Sequence, residues 1–233
     1  MLDKFVEQIK EAYGTDLISI ILYGSTVTGE MTRQHSDYNI LLIFNSFTFS
    51  HLRALTKPIR KWVKAGHPVP LMFTKERLLK SLDVFPIEFS DIKQSHKILF
   101  GEDPFVAMQL TNQHLRHECE YVLKSTLLKL RQEYMSAAFD GNKIKALLVG
   151  SLSAVLTVFR HVLKLLAVEP PVKKLDALNI LSEKLDIDKS VFITIHEIKN
   201  GNKAAAKVSM DILMEKYVTE IEKIIEKVDN ILY

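Results

Sequence analysis

The residues with the clearest potential for chemistry are a Gly-Ser pair, Gly24 and Ser25, and an aspartate, Asp37, that follows after eleven intervening residues. Glycine has no side chain, so a phosphate oxygen can approach the Gly24 N–H closely, and the Ser25 hydroxyl and the next amides can donate to the same anion. Asp37 can hold a divalent cation whose other ligands come from a bound triphosphate. The three residues together predict a site for a metal-bound nucleotide.

Two short apolar runs place these residues. One, Leu17–Leu22, ends just before the Gly-Ser pair, and the other, Ile40–Phe44, begins just after Asp37. Each run is short enough to be a buried strand, so the chemical residues would lie where the first strand ends and the second begins. A helix that ends at Gly14 is predicted before the first strand.

This arrangement resembles the nucleotidyltransferase superfamily, which includes DNA polymerase β, the kanamycin-type aminoglycoside nucleotidyltransferases and the minimal nucleotidyltransferases. The family pattern is hydrophobic-Gly-Ser, about ten residues, then Asp-hydrophobic-Asp-hydrophobic. The resemblance implies Mg²⁺ or Mn²⁺ with a nucleoside triphosphate, and ATP is the expected nucleotide. The residues that match the pattern are Gly24, Ser25, Asp37, Tyr38 and Ile40, with Gly29 and Ser36 as accessory matches.

The chain departs from the family at two of its three carboxylates. Asn39 stands where the second acid helps to hold two magnesium ions, and an amide offers one neutral carbonyl oxygen instead. The third acid, the usual proton acceptor, falls at Pro70 in the best-matching strand, Val69–Phe73. Glu88 or Asp91, in a segment predicted as a strand or sheet edge, is the surrogate acid that we consider; the alternative is a solvated surface position for both.

The order of predicted elements indicates an α+β protein: a small mixed-sheet nucleotidyltransferase-like domain at 1–105, followed by an all-helical up-and-down bundle at 106–233. In the first domain, a helix over 50–65 should kink or split at Pro58, and Thr74 should cap a short helix. A Leu-Phe-Gly-Glu-Asp-Pro segment ending at Pro104 resembles the one that closes the catalytic domain of aminoglycoside-type relatives.

The spacing of apolar residues in the second half predicts four or five helices. The charge-free run 146–159 is shorter than the ~20 residues that a membrane span requires, so it predicts a central bundle helix and no membrane partner. Cys119 lies on an apolar helical stripe and is predicted to serve packing. The basic pair Arg160 and His161 is predicted to lie on a solvated helical face, with contact to a phosphate or an acceptor as the alternative.

Composition limits the partners only loosely. The chain has 233 residues, 47% of them hydrophobic, and a formal net charge of +3, which neither requires nor excludes nucleic acid. A single cysteine and an amphipathic opening segment predict a reduced, cytoplasmic protein. An apolar-rich bundle is compatible with a homodimer through an exposed helical face.

Two functions therefore stay open. The first is transfer of a nucleoside monophosphate from a metal-bound triphosphate to a hydroxyl on a small molecule, a protein or an RNA. The second is a catalytically degenerate domain that binds a nucleotide or a protein partner in regulation or assembly; Asn39 and Pro70 favour this function.

Overall fold

A computed structural model describes residues 1–28 and 37–231, apart from the side chains of Ser25 and Thr28. The chain divides into two compact units, Met1–Thr111 and Asn112–Tyr233. The first unit contains the sheet and is called the sheet unit; the second is called the helical unit. The predicted positions Gly29 and Ser36 lie outside the described residues.

The sheet unit alternates helices with four strands in a mixed sheet of order β3-β2-β1-β4. Strand β1 is antiparallel to both β2 and β4, and β2 is parallel to β3. This confirms the predicted mixed sheet. Its elements are α1 (Leu2–Tyr13), β1 (Leu17–Tyr23), α2 (Ser25–Thr28), β2 (Asn39–Phe44), α3 (Phe49–Lys64), β3 (Leu71–Thr74), α4 (Lys75–Lys80), α5 (Pro86–Gln94) and β4 (His96–Gly101).

Helices cover both faces of this sheet because successive side chains of a strand point to opposite faces. Even-numbered residues of β1 and β2, such as Ile20 and Leu42, pack against α1 and α3. Odd-numbered residues, such as Ile21 and Leu41, pack against α4, α5 and Phe105. Strands that are buried on both faces explain why both runs are almost continuously apolar.

One local prediction in this unit is wrong. The segment predicted as a strand or edge is helix α5, which begins with Pro86 in its first turn and buries Phe89 and Ile92 at helical spacing. Helix α3 is continuous through the buried Pro58, so the predicted split does not occur, while the predicted kink stays a prediction. Proline removes one N–H from the helix, and the buried stripe that includes Leu55 and Trp62 compensates for that loss. The predicted Thr74 cap is confirmed, since Thr74 Oγ1 accepts from the Arg77 N–H at 3.2 Å.

The helical unit confirms the predicted all-helical second half. Between residues 112 and 231 it has five α-helices and one short 3-10 turn, Ala205–Lys207. Helix α10 begins later than the predicted start at 203, because Ser209 accepts from the Ile212 N–H and caps its first turn. The helices are α6 (Asn112–Ala137), α7 (Gly141–Leu165), α8 (Lys174–Leu185), α9 (Lys189–Lys199) and α10 (Met210–Asp229).

Helix α7 is the central helix of this unit, as predicted. It packs against α6, α8, α9 and α10. Among the described residues it is the helix that is long and apolar enough to cross a membrane, yet 56% of its most apolar window is buried inside the protein. Core helices of globular proteins share these properties, so the helix by itself does not indicate a membrane span.

The prediction that Arg160 and His161 lie on a solvated face is wrong, because both side chains are buried in the helical unit. Arg160 Nε donates to the Pro171 carbonyl at 3.1 Å, which connects α7 to the segment that precedes α8. The prediction for Cys119 is confirmed: its side chain is fully buried, and burial raises the pKa of its thiol.

Candidate active site

One end of the sheet brings three strand ends together. Tyr23, the last residue of β1, lies directly opposite Asn39 in β2 and opposite His96 in β4. Directly paired residues on neighbouring strands project to the same face of a sheet. Tyr23, Asn39 and His96 therefore form one row, called here the edge row, on the face lined by Ile21 and Leu41.

The Gly-Ser turn lies against this row. Gly24 has φ +84°, a conformation that favours glycine, and its carbonyl accepts from the Val27 N–H at 2.9 Å as the chain enters α2. A Cβ at position 24 would lie 3.0 Å from Asn39 Nδ2. The side chain that replaces the family's second acid is thus directly beside the turn predicted to bind phosphate.

Asp37 is exposed and lies two residues before the first paired residue of β2. Its carbonyl accepts from Thr26 Oγ1 at 3.0 Å, which connects Asp37 to the helix that follows the Gly-Ser turn. The next N–H, that of Tyr38, donates to His67 Nδ1 at 3.4 Å. The structure therefore brings Asp37, Asn39 and Gly24 to one end of the sheet, as the motif predicted.

Tyr23 separates Asn39 from His96 in the edge row. Burial raises the pKa of its phenol, so Tyr23 stays protonated at neutral pH.

His96 is held by the closing Gly-Glu-Asp-Pro segment. Its Nε2 lies 3.2 Å from Asp103 Oδ2, and its Nδ1 lies 3.0 Å from the Ile92 carbonyl at the end of α5. Asp103 Oδ1 accepts from the Phe105 N–H at 2.8 Å. The Asp-Pro segment thus fixes the turn from α5 into β4, and with it one end of the edge row.

The two positions considered for the third acid, Pro70 and Glu88, are not part of the edge row. Pro70 precedes β3 and has no acidic neighbour in the strand, and Glu88 is exposed in the first turn of α5. Within residues 1–28 and 37–231, no three His, Cys, Asp or Glu side chains lie together so as to hold a metal ion. A cation bound by Asp37 would need oxygen ligands from the nucleotide. The role of Glu88 as a surrogate acid stays a prediction.

Two residues at this site were missed from the sequence, Thr26 and His67. Thr26 directly follows the Gly-Ser pair, but a threonine there has no distinctive pattern. His67 follows Gly66, and a glycine there marks the end of a helix, so the sequence predicts that His67 lies just after α3. The sequence does not predict that His67 contacts the residue before β2.

Comparison with known proteins agrees with this geometry. Residues 2–98 match the family model described as a nucleotidyltransferase domain. Among solved structures, the chain is similar to spectinomycin adenyltransferase AAD(9) from Enterococcus faecialis, determined with ATP and spectinomycin. The two share 13% sequence identity with a TM-score of 0.55, and the match covers 92% of this chain and 97% of that chain. No protein of curated function matches the sequence.

The resemblance drawn from the sequence is thereby confirmed, since residues 2–98 match the nucleotidyltransferase-domain model. The structural neighbour shares the fold, a mixed-sheet nucleotidyltransferase domain followed by a helical region.

Proposed function

We propose that this protein binds ATP together with Mg²⁺ or Mn²⁺ and transfers the nucleoside monophosphate to a hydroxyl acceptor. The observation that carries the proposal is the joining of the Gly24 turn to Asp37 through the Thr26–Asp37 hydrogen bond, inside the matched domain. A phosphate-binding turn and an exposed carboxylate at one end of a sheet are the minimum for such a site.

In this proposal, backbone N–H groups at Gly24 and Ser25 bind the phosphate oxygens, and Asp37 and the Asn39 carbonyl oxygen face the cation. The acceptor hydroxyl oxygen bonds to the α-phosphorus, the bond from that phosphorus to the α–β bridging oxygen breaks, pyrophosphate leaves, and the hydroxyl proton passes to solvent water. The bound cation would neutralise charge on the phosphates. Positioning supplies most of the rate of such reactions, so a weak proton acceptor is tolerable.

The acceptor is the least constrained part. The structural neighbour was determined with ATP and spectinomycin, which supports ATP as donor and a small-molecule hydroxyl as acceptor. A hydroxyl on a protein or an RNA is the other acceptor class that the proposal includes. A cytoplasmic location and the absence of a membrane partner belong to the same proposal, on sequence grounds.

A homodimer also belongs to the proposal. It is supported by large apolar side chains that are exposed at seven-residue spacing along α6, namely Tyr121, Leu128 and Met135. Side chains seven apart lie on one face of a helix. Sedimentation velocity measures whether the protein is a dimer in solution.

One observation favours the second function, a domain that binds a nucleotide without turning it over. The Asn39 amide, with no negative charge, faces the Gly24 turn where the family has an acid. Loss of an anionic ligand weakens a hard-cation site, and loss of a general base removes ~10²–10⁴ in rate. A nucleotide-binding module tolerates both changes.

The test is thermal unfolding with each nucleoside triphosphate, with and without Mg²⁺ or Mn²⁺. At ligand concentrations about a hundredfold above Kd, binding should stabilise the fold by roughly 2.7 kcal/mol. Asp37→Ala should abolish the metal-dependent part of this shift. Asp83→Ala, which removes an exposed aspartate from the turn after α4, is the matched control and should keep the shift.

The outcomes separate the two functions. A metal-dependent shift followed by transfer of label from α-labelled ATP to an acceptor supports the transferase. A shift without transfer to any acceptor class supports the binding module. No shift with any nucleotide and metal contradicts both the transferase and the nucleotide-binding module, and leaves a degenerate domain that binds a protein partner.

A further inference from the structure

We propose that Thr26 and His67 are positioning residues that hold the Asp37–Tyr38 peptide group from its two sides and so orient Asp37 for the cation. The inference rests on the proposed function and names two residues that act on the same site. Thr26 Oγ1 donates to the carbonyl of this peptide, and His67 Nδ1 accepts from its N–H. In a trans peptide these two groups point in opposite directions, so one planar unit is fixed by both contacts.

Side chains make the hydrogen bonds to this peptide because the strand pairing of the sheet does not extend to it. The pairing of β2 with β1 ends at Asn39, and its pairing with β3 begins only where Leu41 lies opposite Leu71. The residues before β3 include Pro68 and Pro70, which have no N–H to donate. The Asp37–Tyr38 peptide therefore lies beyond the strand pairing of β2 with both of its neighbours. The two hydrogen bonds that Thr26 and His67 make to this peptide are called here the peptide clamp.

His67 is placed by the end of α3 in a Schellman motif. The His67 N–H donates to the Trp62 carbonyl at 3.4 Å and the Gly66 N–H to the Val63 carbonyl at 3.0 Å, while Gly66 has φ +94°. The His67 ring packs on the Trp62 ring at 4.2 Å, and Trp62 Nε1 donates to the Pro68 carbonyl at 3.0 Å. These contacts together fix the position of the His67 imidazole relative to α3.

The burial of His67 indicates a purpose beyond packing. The side chain is 93% buried, from a relative exposure of 7%, and its Nε2 has no hydrogen-bond partner among the described residues. Since Nδ1 accepts from Tyr38, the hydrogen bonding assigns the ring proton to Nε2. A buried polar group without a partner destabilises a fold, and its retention here is explained by the acceptor that the other nitrogen provides.

Thr26 gives the clamp its link to the nucleotide. It lies in α2 directly after the Gly-Ser pair, so its hydrogen bond fixes the position of Asp37 relative to the phosphate-binding turn. A metal that binds both Asp37 and a phosphate oxygen depends on that distance. Residues that orient a metal ligand typically change metal affinity 10–100-fold when they are removed.

The test compares variants that remove each contact with variants that keep it. Thr26→Val and His67→Phe remove the hydroxyl donor and the ring acceptor at similar shape. Thr26→Ser keeps a hydroxyl, and His67→Asn places an amide oxygen close to the position of Nδ1. Two quantities are measured: the Mg²⁺ concentration needed for ATP binding, and hydrogen exchange of the Tyr38 amide by NMR without nucleotide.

We expect Thr26→Val and His67→Phe to raise the required Mg²⁺ about tenfold and to speed Tyr38 exchange, with a smaller effect on ATP binding without metal. Thr26→Ser and His67→Asn should restore both quantities. A general loss of stability would weaken binding with and without metal alike, which contradicts the inference.

Failure of the clamp and failure of the proposed function are distinguishable. If the wild-type protein binds metal and ATP and the variants bind them equally well, the clamp has no positioning role and the proposed function stands. If the wild-type protein shows no metal-dependent binding, the proposed function fails. Unchanged Tyr38 exchange in Thr26→Val and His67→Phe overturns the clamp whatever the protein binds.

Discussion

The two ends of the sheet use glycine in different ways. At the end that carries the edge row, a Cβ added to Gly24 would lie 3.0 Å from the side-chain amide nitrogen of Asn39. At the other end, Gly101 closes β4 with φ +81°, and a Cβ there would lie 1.8 Å from the Ile18 carbonyl oxygen. The first contact can yield by a side-chain movement, whereas the second is backbone against backbone.

The surrounding hydrogen bonds repeat this difference. Next to Gly101, the fully buried Ser19 donates through Oγ to the Glu102 carbonyl at 2.5 Å. Next to Gly24, the exposed Asp37 is held through its backbone by side chains and leaves its carboxylate to solvent. One end of the sheet is therefore closed by buried contacts with the backbone, and the other leaves Asp37 exposed.

The largest effect is expected from Gly101→Ala. Its methyl group would overlap the Ile18 carbonyl in a positive-φ conformation, so the free energy of unfolding should fall by more than about 4 kcal/mol. Gly14→Ala is the control, because Gly14 also has positive φ but nothing lies within 4 Å of its Cβ; the backbone conformation alone should cost about 1–3 kcal/mol. Urea unfolding followed by the single tryptophan, Trp62, reports on the sheet unit.

A smaller effect is expected from Gly24→Ala. The left-handed conformation should cost about 1–2 kcal/mol, with a further contribution from the contact with Asn39. In the Asn39→Ala background the contact is absent, so adding Gly24→Ala there should cost only the backbone part. A loss as large as that of Gly101→Ala, measured by the same urea titration, would contradict the distinction between the two ends.

The sequence predicted the sheet unit well where a pattern was strong. The apolar runs gave β1 and β2, and Gly14 and Thr74 marked helix boundaries correctly. It missed β4, whose residues are only partly buried, and took α5 for a strand. Phe85, Ile87 and Phe89 alternate as in a strand, whereas Phe89 and Ile92 have helical spacing; over so short a segment both periods fit, and tertiary packing decides between them.

The candidate site was predictable in part. Gly24, Asp37 and Asn39 were found because their spacing follows a family pattern, and the structure places them at one end of the sheet. Thr26 and His67 both contact the Asp37–Tyr38 peptide, which is far from His67 in the sequence. Contacts between distant parts of a chain leave no periodic pattern in the sequence, so they could not be predicted. Whether Glu88 approaches the metal depends on the bound nucleotide, which neither sequence nor fold fixes.

Asn39→Asp tests whether the edge row is a cation site with one ligand charge missing. The added charge should strengthen Mg²⁺-dependent ATP binding about tenfold, since cation affinity in such sites rises with ligand charge. Asn39→Leu keeps a similar shape, lacks the oxygen and should weaken the binding. The Mg²⁺ concentration at half-maximal binding, by titration calorimetry, decides; equal values in Asn39→Asp and the wild type would show that position 39 does not face the cation.

The smallest effect is expected at Asp188, which measures what an ordinary side-chain contact contributes away from the sheet. Its carboxylate accepts from the Ser190 N–H at 2.9 Å and caps α9. Asp188→Ala should cost about 1 kcal/mol of stability and leave ATP binding unchanged. The backbone N–H of Asp188, which donates to Glu220 Oε2 at 2.9 Å, is kept in this variant, so a larger loss would have to come from the cap itself.

The charge of Asp188 adds a pH dependence with a defined sign. Hydrogen bonds from Ser190 lower the pKa of this carboxyl below its ordinary value of 3.8, with smaller contributions from Lys216 and Lys223. A lowered folded-state pKa gives stability that is present above 3.8 and is lost as the pH falls through the folded-state pKa. Asp188→Asn keeps a cap without the charge, so its deficit relative to the wild type should shrink on acidification below 3.8. A constant deficit across urea titrations at several pH values would mean that the cap acts through shape alone.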